Sequence, residues 1–185
     1  TPSATTTYMV TGNANGCSSS AQLTVTVNPS PSIFVSPDDT ICSGQNITLA
    51  ASGASTYTWS PVASLSASTG SNVIANPAAT TTYTVTATGS NGCTVSSQVT
   101  VTVNPPPPVS ISPSLTICNG QAVLLMASGA SAYAWSPSST LNSSTGSSVT
   151  ATPSSTTTYV VTATGNSGCT ASSQVTVTVN PLPVL

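Results

Sequence analysis

Five cysteines are the residues of this sequence best equipped for chemistry: Cys17, Cys42, Cys93, Cys118 and Cys169. A nucleophilic thiolate needs a base or a cation beside it. The chain has no Lys, no Arg and no His, and its two acidic residues are Asp38 and Asp39. Thiolate capture of a metal calls for closer spacing and usually for imidazole as well. Disulfide formation is the chemistry that remains, and it implies an oxidising compartment. The adjacent Asp38 and Asp39 could open a calcium site, but calcium takes about six to eight oxygens. A solvated turn is the expectation there. Asp39-Thr40-Ile41 fits the Asp-(Ser/Thr)-aliphatic pattern of a bacterial O-glycosylation system, which makes Thr40 a possible glycosylation site. Asn46-Ile47-Thr48 and Asn142-Ser143-Ser144 match the N-linked sequon. Trp59 and Trp135 could be platforms for sugar, but a lone Trp in the third strand of a sandwich more often fills the core.

Composition narrows the field further. The 185 residues carry a net charge of −2, and 38% of them are hydrophobic. Without Lys or Arg the chain cannot replace phosphate counterions, so nucleic acid is not a partner. Electrostatic attraction to an anionic membrane fails for the same reason, and no apolar run approaches the ~18 residues a spanning helix needs. General acid/base catalysis lacks its side chains. The expectation is a chain that is not an enzyme, has no cofactor and no metal, and does not insert into membrane.

The elements that position the cysteines are repeated. Cys17, Cys93 and Cys169 stand 76 residues apart, as do Cys42 and Cys118, Trp59 and Trp135, and Asn28, Asn104 and Asn180. Tyr83 and Tyr159 keep that period, whereas Tyr8 is one residue off, which requires a single-residue indel in a hairpin. Several independent markers at one period define tandem units: 1–29 as the C-terminal part of a truncated repeat, 30–105 and 106–181 as full repeats, and 182–185 as the start of a further linker. The pattern reads as a window of a longer array. Within 30–105, period-2 alternation predicts strands at Ser32–Ser36, Asn46–Ser52, Thr56–Ser60, Ser71–Asn76, Thr81–Thr88 and Cys93–Val103. Gly89-Ser90-Asn91-Gly92 is a hairpin turn. Ile47, Leu49, Trp59, Val73, Tyr83, Val85, Val99, Val101 and Val103 should face the core, with equivalents one period later. Proline-rich linkers at Asn28-Pro29-Ser30-Pro31, Asn104-Pro105 to Pro108, and Asn180-Pro181-Leu182-Pro183 favour extended, fairly stiff connections.

The runs Ile41-Cys42-Ser43-Gly44-Gln45, Thr56-Tyr57-Thr58-Trp59-Ser60-Pro61, Thr82-Tyr83-Thr84-Val85-Thr86, Asn91-Gly92-Cys93 and Val99-Thr100-Val101-Thr102-Val103-Asn104-Pro105 resemble the Ig-like or PKD-like tandem repeats of large bacterial surface or secreted proteins, including gliding-motility-type adhesins. The resemblance implies an all-β chain of Ig-like/PKD-like β-sandwich domains in a linear array, placed extracellularly or on the cell surface. It departs from PKD units at Trp59 and Trp135, which are followed by Ser-Pro and not by an aspartate-bearing turn, so no calcium chemistry is carried over. On the implied strand order, Tyr83 and Tyr159 occupy tyrosine-corner positions. Two disulfide pairings stand open: Cys42–Cys93 within a repeat, or Cys42–Cys169 between repeats. Loop entropy barely separates them, at roughly 4 and 5 kcal/mol. The implied order puts Cys42 and Cys93 about 20 Å apart along the second strand, too far for a bond, and so favours the inter-repeat pair. Cys118 would then pair downstream, and Cys17 and Cys93 upstream. Two roles follow: a non-catalytic segment of an extracellular filament, stalk or adhesin shaft, whose partners are neighbouring repeats of the same protein in a homopolymer or fibre, with glycans as further candidates; or a carbohydrate- or surface-binding adhesion module. The near-identity of Pro61–Gly70 and Pro137–Gly146 in character fits a shaft better than a diversified recognition surface.

Overall fold

The computed structural model describes residues 1–183; residues 184 and 185, part of the expected 182–185 linker, lie outside the described residues. The architecture is all-β, with no helix among the described residues. Runs such as Thr-Tyr-Thr-Val-Thr-Ala-Thr make this choice locally. β-Branched residues are stiff at χ1 and fit a pleated surface, and alternation sends one set inward and the other to solvent. The chain divides into two compact units, one of Thr1–Asp39 with Gly44–Thr102, the other of Thr40–Ser43 with the chain from Val103 onward.

The first unit opens with a two-stranded hairpin, β1 (Thr6–Ala14) and β2 (Cys17–Val25). The expected indel sits at its tip. Asn15 (φ 51°) and Gly16 (φ 79°) form a two-residue turn with both residues at positive φ, which suits a right-twisted hairpin. The strands that follow are β3 (Phe34–Val35), β4 (Asp39–Cys42), β5 (Ile47–Ser52), β6 (Thr56–Ser60), β7 (Asn72–Ala75), β8 (Thr81–Thr88) and β9 (Thr94–Asn104). They form a three-stranded sheet in the order β3-β5-β7 and a four-stranded sheet in the order β4-β9-β8-β6. The two sheets enclose Leu49, Tyr57, Trp59, Val73, Tyr83, Val85, Val99 and Val101. Each is worth roughly 1.5–3 kcal/mol on burial, before chain entropy is set against it.

The second unit repeats the plan with β10 (Ser110–Ile111), β11 (Leu115–Cys118), β12 (Val123–Ser128), β13 (Ala132–Ser136), β14 (Ser148–Ala151), β15 (Thr157–Thr164) and β16 (Thr170–Asn180). Its sheets run β10-β12-β14 and β11-β16-β15-β13. β11 lies parallel to β16, with Cys118 opposite Asn180, while the ladders of β13, β15 and β16 are antiparallel. Leu125, Tyr133, Trp135, Val149, Tyr159, Val161, Val175 and Val177 make its core.

Three expectations need correction. Asp38 and Asp39 are solvent-exposed, as expected, but they do not form a turn. Asp39 starts β4, and Asp38 Oδ1 accepts a 2.7 Å hydrogen bond from the Thr100 amide. β4 and the Asp38 carboxylate thus line the side of β9 away from β8. Ile47 and Val103 are half-buried, not core, because each stands at an end of its strand. The first strand is the two residues Phe34–Val35 only, since proline bounds it closely on either side and removes ladder donors.

Outward-facing hydroxyls pair across the large sheets. Thr82 meets Thr100 at 3.0 Å, and Thr158 meets Thr176 at 2.9 Å. Such cross-strand pairs stabilise the solvent face without charge. Glycine is required at Gly53 (φ 97°) and Gly129 (φ 97°), where a Cβ would stand 2.1 Å from the Ser32 carbonyl oxygen and 1.9 Å from that of Pro108.

Candidate functional site: the Cys42–Cys169 staple

The candidate site is covalent. Cys42 ends β4, and the next residue, Ser43, donates its amide to the Asn104 carbonyl at 2.9 Å. That bond fixes the end of β4 against the last residue of β9. Cys169 stands immediately after the turn Gly165-Asn166-Ser167-Gly168. The turn is closed by Gly165 N–H to the Cys169 carbonyl (2.8 Å) and Gly168 N–H to the Gly165 carbonyl (3.0 Å). The Cys169 Sγ lies 3.8 Å from the same Asn104 carbonyl oxygen. Asn104 is thus the common neighbour of both half-sites. Cys42 and Cys169, at a sequence separation of 127, are joined in a disulfide with their Cα atoms 5.6 Å apart, a distance typical of such bonds. Of the two pairings left open by the sequence, the structure contains the one that links residues of successive sequence repeats. Cys169 is buried at 1% exposure.

Cys17, Cys93 and Cys118 are free thiols. Cys17 is drawn into the β1–β2 ladder opposite Ala14 by the shortened turn. Cys93 keeps the geometry of Cys169: Gly89 N–H reaches the Cys93 carbonyl at 2.9 Å, and Cys93 Sγ lies 3.7 Å from the Asn28 carbonyl oxygen. Cys118 keeps the geometry of Cys42, with Asn119 N–H on the Asn180 carbonyl at 2.9 Å.

The other sequence candidates are structural. The Trp59 and Trp135 rings are buried, and each Nε1–H donates to a glycine carbonyl, Gly70 and Gly146 respectively, at 2.9 Å. Neither presents a face to sugar. Tyr83 and Tyr159 are fully buried, but they do not make the local backbone bond of a tyrosine corner. The Tyr83 hydroxyl pairs with the Ser64 side chain and the Tyr159 hydroxyl with Thr140, each 19 residues upstream in the long connection between β6 and β7 or its equivalent. Thr40 is exposed on β4. Asn46 Oδ1 accepts from the Asn76 side chain, and Asn142 Oδ1 accepts from the Thr150 amide at 2.7 Å. Among the described residues no group of three or more potential metal ligands gathers. An open cleft of about 690 Å³ in the second unit is lined by Pro105–Pro108, Gly129–Ser131 and Gly165–Ser167, small and uncharged residues throughout.

Sequence reasoning missed β4 and the role of Asn104. The signal was present. Thr40-Ile41 and Thr116-Ile117, β-branched pairs one period apart and each ending in cysteine, fit a short strand as well as they fit a turn.

A family model described as Ig-like domain, CHU_C associated, matches residues 29–105 and again 105–181. Similar solved structures include the DIP-gamma IG1+IG2 pair, at 14% identity over 82% of this chain and 98% of that one, with a TM-score of 0.42. The insect immune protein hemolin aligns at 15% identity over 94% of this chain and 56% of its own, with a TM-score of 0.44. An adhesin of an Antarctic bacterium, described as Ca2+-stabilized and ice-binding, aligns at 14% identity over 96% of this chain and 57% of that one, with a TM-score of 0.45. No curated protein sequence matches the chain.

Proposed function

Since the chain belongs to the family of Ig-like domains described as CHU_C associated, we propose that it is a load-bearing segment of an extracellular filament, stalk or adhesin shaft, without catalytic activity. The observation that carries this reading is the disulfide between Cys42 and Cys169. A disulfide within one repeat would stabilise that repeat alone. This bond instead crosses the proline linker in sequence. Tension entering before Cys42 and leaving after Cys169 passes through the sulfurs and bypasses residues 43–168. If the pairing recurs at every period, segments such as Cys17–Cys42 and Cys93–Cys118 become links of a covalent chain. Each link comprises one long strand (β2 or β9), one proline linker and the short strands that follow (β3–β4 or β10–β11). The remaining strands of every sandwich carry no load.

The surface supports the same reading. It offers threonine and serine hydroxyl ladders and carries no lysine, arginine or histidine. Persistence of the bond requires an oxidising compartment, which supports an extracellular location. Thr40, exposed and next to Cys42, is the position at which we place an O-glycan. Electron microscopy of native material tests the proposal. A regular fibre whose axial repeat follows the 76-residue unit is expected, and separate compact particles with no axial repeat would exclude a shaft.

A further inference from the structure

Asparagine is followed by glycine at Asn15-Gly16, Asn91-Gly92 and Asn119-Gly120. Such a pair is reactive by itself. The glycine amide nitrogen can attack the side-chain carbonyl carbon of the asparagine, and a residue without Cβ does not obstruct the approach. Asn15 and Gly16 are both held at positive φ in the tip of the β1–β2 hairpin. The other two pairs lie in the complete repeats, and they differ in what holds them.

In Asn91-Gly92 each reacting group is engaged. Asn91 Nδ2–H donates to the Pro29 carbonyl at 2.9 Å, Asn91 Oδ1 accepts from the Cys93 amide at 3.1 Å, and the Gly92 amide donates to the Gly89 carbonyl at 3.0 Å. In Asn119-Gly120 none is engaged. Among the described residues neither the Asn119 side chain nor the Gly120 amide has a hydrogen-bond partner, and both residues are exposed. The exposure is a property of the position. Ser43 stands there one repeat earlier, and it is exposed although Cys42 beside it is bonded to Cys169. The flanking residues are tied. Gln121 N–H donates to the Cys118 carbonyl at 3.1 Å, and Cys118 N–H to Gln121 Oε1 at 3.0 Å.

We infer that Asn119 is a self-modification site, converting to aspartate and isoaspartate without an enzyme. The Gly120 nitrogen bonds to Asn119 Cγ, the Cγ–Nδ2 bond breaks, and ammonia leaves with the proton that the Gly120 nitrogen gives up. The product is a cyclic succinimide. Water then opens it at either carbonyl. One opening leaves aspartate, and the other leaves isoaspartate, in which the backbone runs through the former side chain and gains a carbon. Only water is consumed. Either product adds a carboxylate, next to Cys118, to a chain whose acidic side chains are Asp38 and Asp39. Isoaspartate also lengthens the turn that Gln121 closes on Cys118, so the half-site equivalent to that of Cys42 loses its fixed geometry. Ser43 has no side-chain amide and cannot react in this way. The half-site at residues 42–45 is therefore lasting, and the one at residues 118–121 ages.

The test holds the full, oxidised chain for several days in mildly alkaline buffer, beside a sample unfolded in guanidinium chloride. Peptide mass spectrometry reads aspartate and isoaspartate at both positions. In the unfolded sample Asn91 and Asn119 should convert at similar rates. In the folded chain Asn119 should keep most of that rate, whereas Asn91 should fall at least about tenfold below it, because its hydrogen bonds must break first. If folding slows Asn119 as much as Asn91, or if Asn91 converts as fast as Asn119 in the folded chain, the inference is overturned.

Discussion

Cys93 and Cys169 close the same turn with the same backbone bonds, yet one sulfur is free and half-exposed and the other is bonded and buried. The comparison separates two levels of determination. The local sequence Gly-x-x-Gly-Cys places the thiol beside an asparagine carbonyl in both cases. Whether a bond follows depends on a segment that lies 127 residues away for Cys169. The hairpins teach the same lesson. β1–β2 and β8–β9 share register and cross-strand threonine bonds, but only the latter has the preceding strands over its apolar face.

The sharpest way to break the comparison is to make Cys169 resemble Cys93. Cys42→Ser opens a 127-residue loop, worth about 5 kcal/mol on chain entropy alone. Hydrogen exchange followed by mass spectrometry should show protection falling across residues 43–168, with β1–β2, which lies outside the loop, unchanged. A fall confined to residues near Cys42 would mean that the bond is local trim. A smaller loss is expected at Gly129→Ala. It forces a positive φ on alanine and drives Cβ into the Pro108 carbonyl, at a cost on the order of 3 kcal/mol. Chemical denaturation should show it, and Gly53→Ala should match it because Ser32 stands in the same place. A weaker effect again, about 1 kcal/mol, is expected for Tyr159→Phe. This change removes one hydrogen bond to Thr140 and leaves the ring in place. An effect several times larger would show that the hydroxyl organises the β13–β14 connection and does not merely tie it down.

Much of this fold was legible because its determinants are local and periodic. Thr56–Ser60 and Thr81–Thr88 have the bounds that alternation alone assigns them; the tandem plan follows from the period, and its Ig-like character was what the resemblance implied. What alternation could not reveal was β4. Four residues are too few to show a period, and their hydrogen-bond partner, β9, lies some sixty positions on. Asp38 was misread for the same reason. An acidic pair beside a proline looks like a turn until the Thr100 amide is seen to need an acceptor. For the tyrosines, position indicated burial, but the hydroxyl partners belong to a long connection whose path no residue pattern encodes. The staple lay between these extremes. Spacing left two pairings, and only the end-to-end arrangement of strands distinguishes them.

The central claim is that force through this chain runs across the Cys42–Cys169 bond, and single-molecule stretching from the two termini tests it most directly. Under oxidising conditions residues 43–168 should contribute nothing to the extension. On adding reductant, the fully unfolded chain should lengthen in one further step of roughly 430 Å, the span of 127 residues at about 3.4 Å each. A gain near 170 Å per event, the length of a loop of about fifty residues, would mean that the cysteines pair within repeats. Either that result or no gain at all would contradict the account.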